Sequence, residues 1–557
     1  MSDPVDTPRP ALPRSVLLMT GALTLVGLIL RARSLGNSLF GDELSSYFIV
    51  TGHSFGQILH ILYGHSVDLN PPLYFLSAWV VERLGASVQA LRAVSLVAGT
   101  VAIPLTFALG RRTLGWRAGV VGAALVALSP NLIFFSTEAR PYALMMTLLL
   151  ASTLALLRAL ESQRVVWWAA YALLSCAAAY THYVAVFVLI AQLGWAWWAC
   201  PPARRALVGS SALAVLGFLP WIPAMVKDSH SPGTKVLGFV DPFGVHDVAR
   251  DLAHWSVGHP FLGLSQVPGR LALAMIAAGG LIGLAALLTG GEVEEGRAPG
   301  AHAYAVREHR HAGLVLVLTL TLALPVGLAL YSLFRDSVWD ERNLIASWPG
   351  FGLLLGGLTL CAEGWGRAVA VGLVVAAFAI GAVKLLTPAH QRPDYRAAVR
   401  SVPVGAGIVE LPGPTPGPLS EVDAALADGG DWRAQTRPVL RIGPPRSSVL
   451  DAAPYASLPE PAPAALAGRA ALEADGGKLF VISYGAAPAS ALRPGGVLDA
   501  RAAFGPEFGT GATGYLLAIE FGRLQAFARA LEPRFVPRAV RIFPGFLPVS
   551  VYTFAER

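Results

Sequence analysis

Long apolar runs alternate with short polar connections over the first 387 residues of the chain. A membrane-spanning helix needs about 20 mainly apolar residues, with tolerance for shorter ones. Eleven runs meet this description, at 15–32, 90–110, 117–134, 140–158, 165–181, 183–200, 206–222, 269–289, 313–334, 344–362 and 367–386. The pattern predicts a polytopic α-helical membrane protein with about eleven transmembrane helices. The first run is interpreted as a retained span, because no convincing small-residue cleavage site follows it.

One further apolar run, LYFLSAWVVERLG at 73–85, is too short for a span and carries Glu82 and Arg83. A helix of this kind suits the membrane interface better than the bilayer core. We therefore assign it to a long first external loop, residues 33–89. The alternative is a twelfth crossing, which would invert the orientation of everything that follows.

Arginine residues concentrate in alternate loops, and this pattern fixes the orientation. Cytoplasmic loops retain positive charge, so with the N-terminus inside these basic residues all fall on the cytoplasmic side: Arg111, Arg112, Arg117, Arg158, Arg164, Arg204, Arg205, Arg297, Arg307, Arg310 and Arg367. This agreement argues against a twelfth crossing. An odd number of spans places the chain after residue 387 outside the plasma (inner) membrane.

Residues 388–557, called the C-terminal region below, have a different pattern. RPDYRAAVRSV and GYLLAIEFGRLQAFARAL favour helices, while the short apolar runs GIVEL, PVLRI and KLFVISY favour strands. RAVRIFPGFLPVSVYTF is typical of a hairpin that turns at Pro544 and Gly545. We therefore predict two domains: a transmembrane domain at 1–387 and a soluble extracytoplasmic α/β domain at 388–557.

Composition supports this division. Only 14% of the residues are charged, against roughly 25% in an average soluble domain, which excludes a disordered chain, a nucleic-acid-binding domain and an ordinary cytosolic enzyme. The C-terminal region carries 17 basic and 15 acidic residues, and the preceding 387 residues carry 25 and 20. Cys176, Cys200 and Cys361 lie in apolar runs, so a disulfide framework or cysteine-based zinc site is not expected.

Several ionisable residues lie on the predicted external face, where the positive-inside pattern does not explain them. Ionisable groups beside spans are functional candidates, and the candidates here are Asp42, Glu43, Glu138, Arg140, His182 and Arg342. Each has a plainer interpretation. Asp42 could cap a helix, Glu138 and Arg140 could form a local ion pair, and His182 could belong to an interfacial aromatic belt.

Carboxylates and guanidiniums at headgroup depth suit a lipid-linked sugar phosphate. Arginine binds phosphate oxygens in a bidentate manner, and a carboxylate beside the sugar can take a proton from an acceptor hydroxyl. Asp68 and Asn70 precede a Pro-Pro turn in the same first loop. The chain contains neither a P-loop nor a dinucleotide-binding glycine motif in a strand–helix context.

The order of these motifs resembles the C-type (GT-C) membrane glycosyltransferases of family 39 and the ArnT-like (RgtA/B/C/D-like) group. The resemblance covers about residues 15–386 and depends on GDE, NPPLYF, LRAVSLVAG, LSPNLIFFSTEARPYAL, THYVAVF and ERNLIASWPGF. It implies a polyprenyl-phosphate sugar donor, used on the external face with inversion at the anomeric carbon. The acceptor could be a lipid, a glycan or a protein.

The resemblance also implies roles for individual residues. Asp42 matches the catalytic base, with Glu43 beside it. The positions that match donor-phosphate or substrate-binding elements are Asn70, Glu138, Arg140, Tyr142, His182, Tyr183 and Arg342. Some members hold a divalent cation, for which Asp42 and Glu138 would be the ligands, and others work without one.

Two other classes of function remain open. A transporter or flippase for a lipid-linked envelope precursor would place ionisable residues near the bilayer midplane, often in two related halves. Here the candidates lie on one face and no internal repeat is found. A sensor or scaffold would use the external charges structurally. The role of the C-terminal region is a separate hypothesis: its predicted external side suggests that it docks the acceptor.

Overall fold

The computed structural model is mostly helical, with one small sheet near its C-terminus. It describes residues 12–557 except 65–66, 232–242, 293–310, 412–418, 436, 438, 442–469, 471–473, 475–476, 494, 498–501 and 504–510. The predicted cytoplasmic residues Arg297, Arg307 and Arg310 lie outside the described residues.

The first apolar run forms α1, and the predicted first loop folds into three short helices before α5. The serine before α5 caps it, since the Ser87 side chain accepts a hydrogen bond from the backbone N–H of Ala90. The short apolar run is helical, as its assignment to an interfacial helix requires. These elements are α1 (Arg14–Ala32), α2 (Glu43–Val50), α3 (Phe55–Gly64), α4 (Leu73–Glu82) and α5 (Val88–Thr113).

The third predicted span is broken in two at a serine–proline step. Ser129 caps the second piece, and Pro130 occupies its first turn, where a missing N–H costs nothing. The helices from here to the large gap are α6 (Trp116–Leu128), α7 (Pro130–Phe135), α8 (Tyr142–Ser162), α9 (Val165–Ala179), α10 (Ala185–Ala199), α11 (Arg204–Phe218) and α12 (Ile222–Ser229).

The remaining bundle helices are α13 (Val245–Val257), α14 (Arg270–Leu288), α15 (Ala312–Phe334), α16 (Trp348–Leu360) and α17 (Gly364–Lys384). A 3₁₀ segment, Glu341–Ser347, leads into α16. Small residues let neighbouring helices approach closely. At Gly110, for example, an added Cβ would lie 2.5 Å from the Cα of Gly119, so α5 and α6 pack backbone to backbone.

All eleven predicted spans are helical in the described residues. Eight helices there are long and apolar enough to cross a membrane, and the helices at 116–128, 165–179 and 185–199 are apolar but shorter. The protein is therefore a multi-pass helical membrane protein, while the count of eleven crossings stays a prediction.

The C-terminal region contains a mixed five-stranded sheet with strand order β2-β1-β3-β5-β4. β1 is parallel to β2 and β3, and β5 is antiparallel to β3 and β4. The strands are β1 (Ile408–Glu410), β2 (Val439–Arg441), β3 (Lys478–Tyr484), β4 (Phe535–Phe543) and β5 (Val549–Glu556), and the helices are α18 (Tyr395–Arg400), α19 (Glu421–Ala427) and α20 (Gly511–Leu531). The predicted α/β pattern and terminal hairpin are confirmed.

The sheet region packs against the first loop. The rings of Phe48 and Trp432 stack with centroids 5.5 Å apart, and the Tyr47 hydroxyl donates a hydrogen bond to the carbonyl of Gly430. Arg433 donates to the carbonyl of Thr51 at 3.0 Å. The loop that carries the candidate acids is therefore held between the helix bundle and the C-terminal region.

Candidate active site

Asp42 forms an ion pair with Arg342. The Arg342 Nη1 lies 2.5 Å from the Asp42 Oδ2, and the two side chains are 27% and 34% exposed. Asp340 holds the other side of the guanidinium, 2.9 Å from its Nε. Asp42 makes no capping hydrogen bond to α2, so the helix-cap interpretation does not account for its side chain. The fold thus brings together two segments 300 residues apart.

The pKa of Asp42 lies below its ordinary value. Burial favours the neutral acid, but the charges of Arg342 and Arg140 outweigh burial. Asp42 is therefore ionised at neutral pH, while a third of its side chain stays open to an incoming group.

Glu43 lies in the opposite environment, fully buried beside α5. Its Oε1 accepts hydrogen bonds from the Arg92 Nε at 2.7 Å and the Ala139 backbone N–H at 2.8 Å. Its Oε2 lies 2.6 Å from the Arg92 Nη2 and 3.5 Å from the Arg392 Nε. Burial opposes ionisation, yet Arg92 and Arg392 hold the pKa of Glu43 below its ordinary value. With both oxygens engaged, Glu43 anchors the first loop.

Arg140 is buried and paired with Asp68. Asn70 orients that carboxylate, because its backbone N–H and side-chain amide both donate to the Asp68 Oδ1, at 2.9 and 2.7 Å. Arg140 also reaches the carbonyl of Asp42 at 3.5 Å, and its Nε is buried without a partner among the described residues. Arg140 therefore has a donor available for an incoming anion. The local Glu138–Arg140 ion pair considered from the sequence is replaced by this pair with Asp68.

Glu138 is a buried carboxyl with an Oε2 that has no hydrogen-bond partner among the described residues. Burial raises its pKa to about 8; Arg392 and Arg140 lower it, and Glu43 and Asp42 raise it. Glu138 is thus largely protonated at neutral pH, unlike its two acidic neighbours.

The Tyr142 ring lies beside the ring of His182, with centroids 5.6 Å apart. The His182 Nδ1 accepts a hydrogen bond from the Val184 backbone N–H at 3.3 Å. Burial, with Arg140 and Arg342, lowers the pKa of His182 to about 3, so the ring is neutral. Tyr183 points elsewhere: its hydroxyl donates to Asp228 at 2.5 Å and accepts from the Trp221 indole at 3.0 Å.

The structure adds four residues to the predicted site: Asp68, Arg92, Asp340 and Arg392. An arginine near the start of a predicted span, as Arg92 is, signals a buried partner in the sequence. Asp68 and Asp340 stand close to predicted site residues, so proximity in sequence hinted at them. Arg392 had no local signal, because its partners lie more than 250 residues earlier in the chain.

Asp42 and Glu138 are the residues that the resemblance offers as ligands of a divalent cation. No group of three or more His, Cys, Asp or Glu side chains suited to a metal occurs in the described part of the chain. The Asp42 carboxylate faces arginine, and protonated Glu138 would have to lose its proton to become a ligand.

An apolar groove of about 650 Å³ runs between α10 and α15. Its one charged lining residue, Arg335, precedes Arg342 by seven residues in the sequence. The other lining residues are Phe187, Ile190, Ala191, Thr319, Leu322, Ala323, Val326, Gly327, Leu330, Tyr331 and Phe334. Such a groove is suited to an acyl or prenyl chain.

Residues 69–224 match the family described as dolichyl-phosphate-mannose-protein mannosyltransferase. The matched segment includes Asn70, Glu138, Arg140, Tyr142, His182 and Tyr183, and the match confirms the resemblance to GT-C glycosyltransferases over these residues. Asp42, Glu43 and Arg342 lie outside it. No curated protein matches the chain in sequence.

Several solved structures are similar to the chain. ArnT from Cupriavidus metallidurans bound to undecaprenyl phosphate is 12% identical, with 97% of this chain and 98% of that chain covered and a TM-score of 0.48. Archaeal oligosaccharyltransferase AglB from Archaeoglobus fulgidus, in complex with an inhibitory peptide and a dolichol-phosphate, is 12% identical, with 84% and 69% covered and a TM-score of 0.46. The S. cerevisiae Pmt1-Pmt2 complex bound to the sugar donor is 15% identical, with 39% and 33% covered and a TM-score of 0.30. No residue role follows from likenesses this distant.

Proposed function

We propose that this protein transfers a sugar from a polyprenyl-phosphate donor to an extracytoplasmic lipid, glycan or protein, with inversion at the anomeric carbon. The observation that carries the proposal is the partly exposed Asp42–Arg342 pair, which places an ionised carboxylate and a guanidinium 2.5 Å apart. Displacement with inversion needs a base on one face of the anomeric carbon and a phosphate-binding cation on the other, so in this proposal the donor sugar enters between Asp42 and Arg342 and separates the pair.

Arg342 and Arg140 bind the donor phosphate in this proposal. Asp340 and Asp68 hold the two guanidiniums, so little ordering remains to be done when the phosphate arrives. The unpartnered Nε of Arg140 and the exposed part of Arg342 supply the donors. Fixed guanidiniums stabilise the charge that develops on the leaving phosphate.

Asp42 is the general base. The acceptor oxygen attacks the anomeric carbon, the bond from that carbon to the phosphate oxygen breaks with its electron pair going to the phosphate, and the acceptor proton passes to the Asp42 carboxylate. General-base catalysis of this kind contributes about 10²–10⁴ in rate. Glu43, first paired with Asp42 as a catalytic candidate, has the position of an anchor for the loop.

Two features support a lipid-linked donor in particular. The groove between α10 and α15 can take an apolar chain, and its lining residue Arg335 precedes Arg342 by seven residues in the sequence. The matched family is described by a dolichyl-phosphate-linked mannose. With the predicted orientation, the site opens on the extracytoplasmic face of the plasma (inner) membrane.

The test uses the full chain in proteoliposomes with undecaprenyl-phosphate mannose, followed by the corresponding glucose and arabinose donors. Release of undecaprenyl phosphate is measured with and without an added cell-envelope extract as acceptor. Asp42→Asn is expected to lower kcat about 10²-fold or more. Asp431→Asn, which changes an exposed carboxylate of the C-terminal region, is the matched control. Equal turnover by Asp42→Asn and the wild-type protein would rule out the proposed base.

A further inference from the structure

Arg392 lies at the start of the C-terminal region and reaches into the helix bundle, where it is buried. Its Nη1 donates to the Thr137 hydroxyl at 3.2 Å, and its Nη2 donates to the carbonyl of Phe134 at 3.4 Å. Its guanidinium carbon stands 4.3 Å from the centre of the Phe134 ring. Arg392 thus makes three contacts with the segment that leads into Glu138, two with Phe134 and one with Thr137.

The Nε of Arg392 faces the first loop, 3.5 Å from the Glu43 Oε2. Burial lowers the pKa of Arg392 only to about 10, so the side chain is charged at neutral pH. Among the neighbouring charges it has the largest influence on the pKa of Glu138. Arg392 therefore joins the two loops that carry the acidic residues of the site.

Neighbouring residues hold Arg392 in place. The Asn37 amide donates to the Gln391 side chain at 2.5 Å, and the Arg396 backbone N–H donates to the Ser38 hydroxyl at 3.0 Å. The backbone N–H of Phe546, in the turn of the terminal hairpin, donates to the carbonyl of Gln391 at 2.8 Å. The Phe546 ring stacks on the Phe261 ring, with centroids 4.9 Å apart. The fold of the C-terminal region is thus linked directly to the position of Arg392.

We propose that Arg392 is a positioning residue of the sugar-transfer site, and that the C-terminal region completes this site by supplying it. The proposal rests on the proposed function for its kinetic readout. It gives the C-terminal region a role in donor turnover itself, beyond the docking of an acceptor.

The experiment compares Arg392→Met and Arg392→Lys with the wild-type full chain in proteoliposomes, with the donor found active above. Arg392→Met is expected to lower kcat about 10- to 100-fold, because misplacement of a site by about 1 Å costs up to about 10²-fold. Its KM for the donor should stay within about 2-fold of wild type, because Arg140 and Arg342 bind the phosphate. Arg392→Lys keeps the charge but loses the forked contact, so an intermediate kcat is expected.

Arg433→Ala is the matched control. Arg433 also joins the C-terminal region to the first loop, through the carbonyl of Thr51 and the His53 ring, but it contacts none of the site residues. It should keep kcat within about 2-fold of wild type, since a surface contact of this kind is worth about 1 kcal/mol or less. Equal losses in Arg392→Met and Arg433→Ala would mean that docking alone matters, and would overturn the proposal. So would a wild-type kcat in Arg392→Met.

Arg392→Lys decides the question if Arg392→Met does not fold. If Arg392→Lys melts at the same temperature as wild type but has a lower kcat, the result supports a positioning role for Arg392. A wild-type kcat in Arg392→Lys overturns that role.

A readout without donor separates failure of this proposal from failure of the proposed function. Removing Arg392 should raise the pKa of Glu138, because its positive charge favours the ionised carboxylate. The upper end of the pH range over which Glu138 changes the stability then moves to higher pH. The charged and titratable groups around Glu138 are Arg392, Glu43, Asp42, Arg140, Arg342, Tyr74 and Tyr142. If wild type turns over no donor, the proposed function fails, and this shift alone decides the placement of Arg392. If the upper end of this stability change is at the same pH in Arg392→Met as in wild type, the proposed placement of Arg392 is contradicted.

Discussion

Asp42 and Glu43 are neighbours in sequence, yet their ion pairs lie in different surroundings. The Asp42–Arg342 pair is about one third exposed, and Asp340 also holds its arginine. The Glu43–Arg92 pair is fully buried, and its carboxylate oxygens are bonded from several segments. An ion pair that is open on one side can exchange a partner for a substrate. A closed one serves to hold the chain, because opening it would leave a buried charge unpaired.

The sharpest test of this difference is Glu43→Gln. It leaves Arg92 and Arg392 buried without their counterion, and breaking a buried pair in this way costs about 3–5 kcal/mol of unfolding free energy. Unfolding in mixed micelles measures the loss. Asp42→Asn, in which Arg342 keeps Asp340, should cost about 1 kcal/mol or less. Similar losses in the two variants would remove the distinction between anchor and base.

Asp68→Asn tests whether the buried Arg140 binds substrate, as proposed for the open Asp42–Arg342 pair, or only holds the chain, as the closed Glu43–Arg92 pair does. If Arg140 binds phosphate, weakening its buried partner misplaces the guanidinium and lowers donor turnover up to about 10²-fold. Asp247→Asn is the control, because Asp247 pairs with Arg250 at 3.0 Å on a part-exposed face of α13. Turnover unchanged in Asp68→Asn would assign Arg140 a structural role.

Glu138 gives the smallest and most selective effect, seen in the pH dependence of stability. Its ordinary pKa of 4.5 is raised to about 8 in the folded protein. Between these values the folded state keeps a proton that the unfolded state releases, so this contribution to stability is full below about pH 4.5 and is lost as the pH rises to about 8.

Glu138→Gln should remove that dependence, since the amide does not titrate, and leave a flatter stability profile across the same range. Thermal unfolding of wild type and variant over this pH range measures it. A wild-type profile in Glu138→Gln would show that another group titrates.

Much of the helical bundle could be predicted from the sequence, because the length of an apolar run is a local property of each segment. The eleven apolar runs and the short helix at 73–82 are all helical in the described residues. The break at Ser129 and Pro130 was not predicted, since apolar residues continue on both sides of it. In the C-terminal region, the hairpin turn at Pro544 and Gly545 was found because turn residues separate two apolar runs.

The sequence by itself determined which residues were available for chemistry: a few carboxylates and guanidiniums that membrane topology does not explain. Only the tertiary structure decided their partners. In the tertiary structure, Asp42 pairs with Arg342 at a partly exposed position, and Glu43 pairs with Arg92 in the interior. Arg140 pairs with Asp68, and Arg392 of the C-terminal region lies beside Glu43. The physical reason is that a residue's own type sets its charge and hydrogen-bonding groups. Burial and counterions, which set its protonation and availability, come from segments up to 300 residues away.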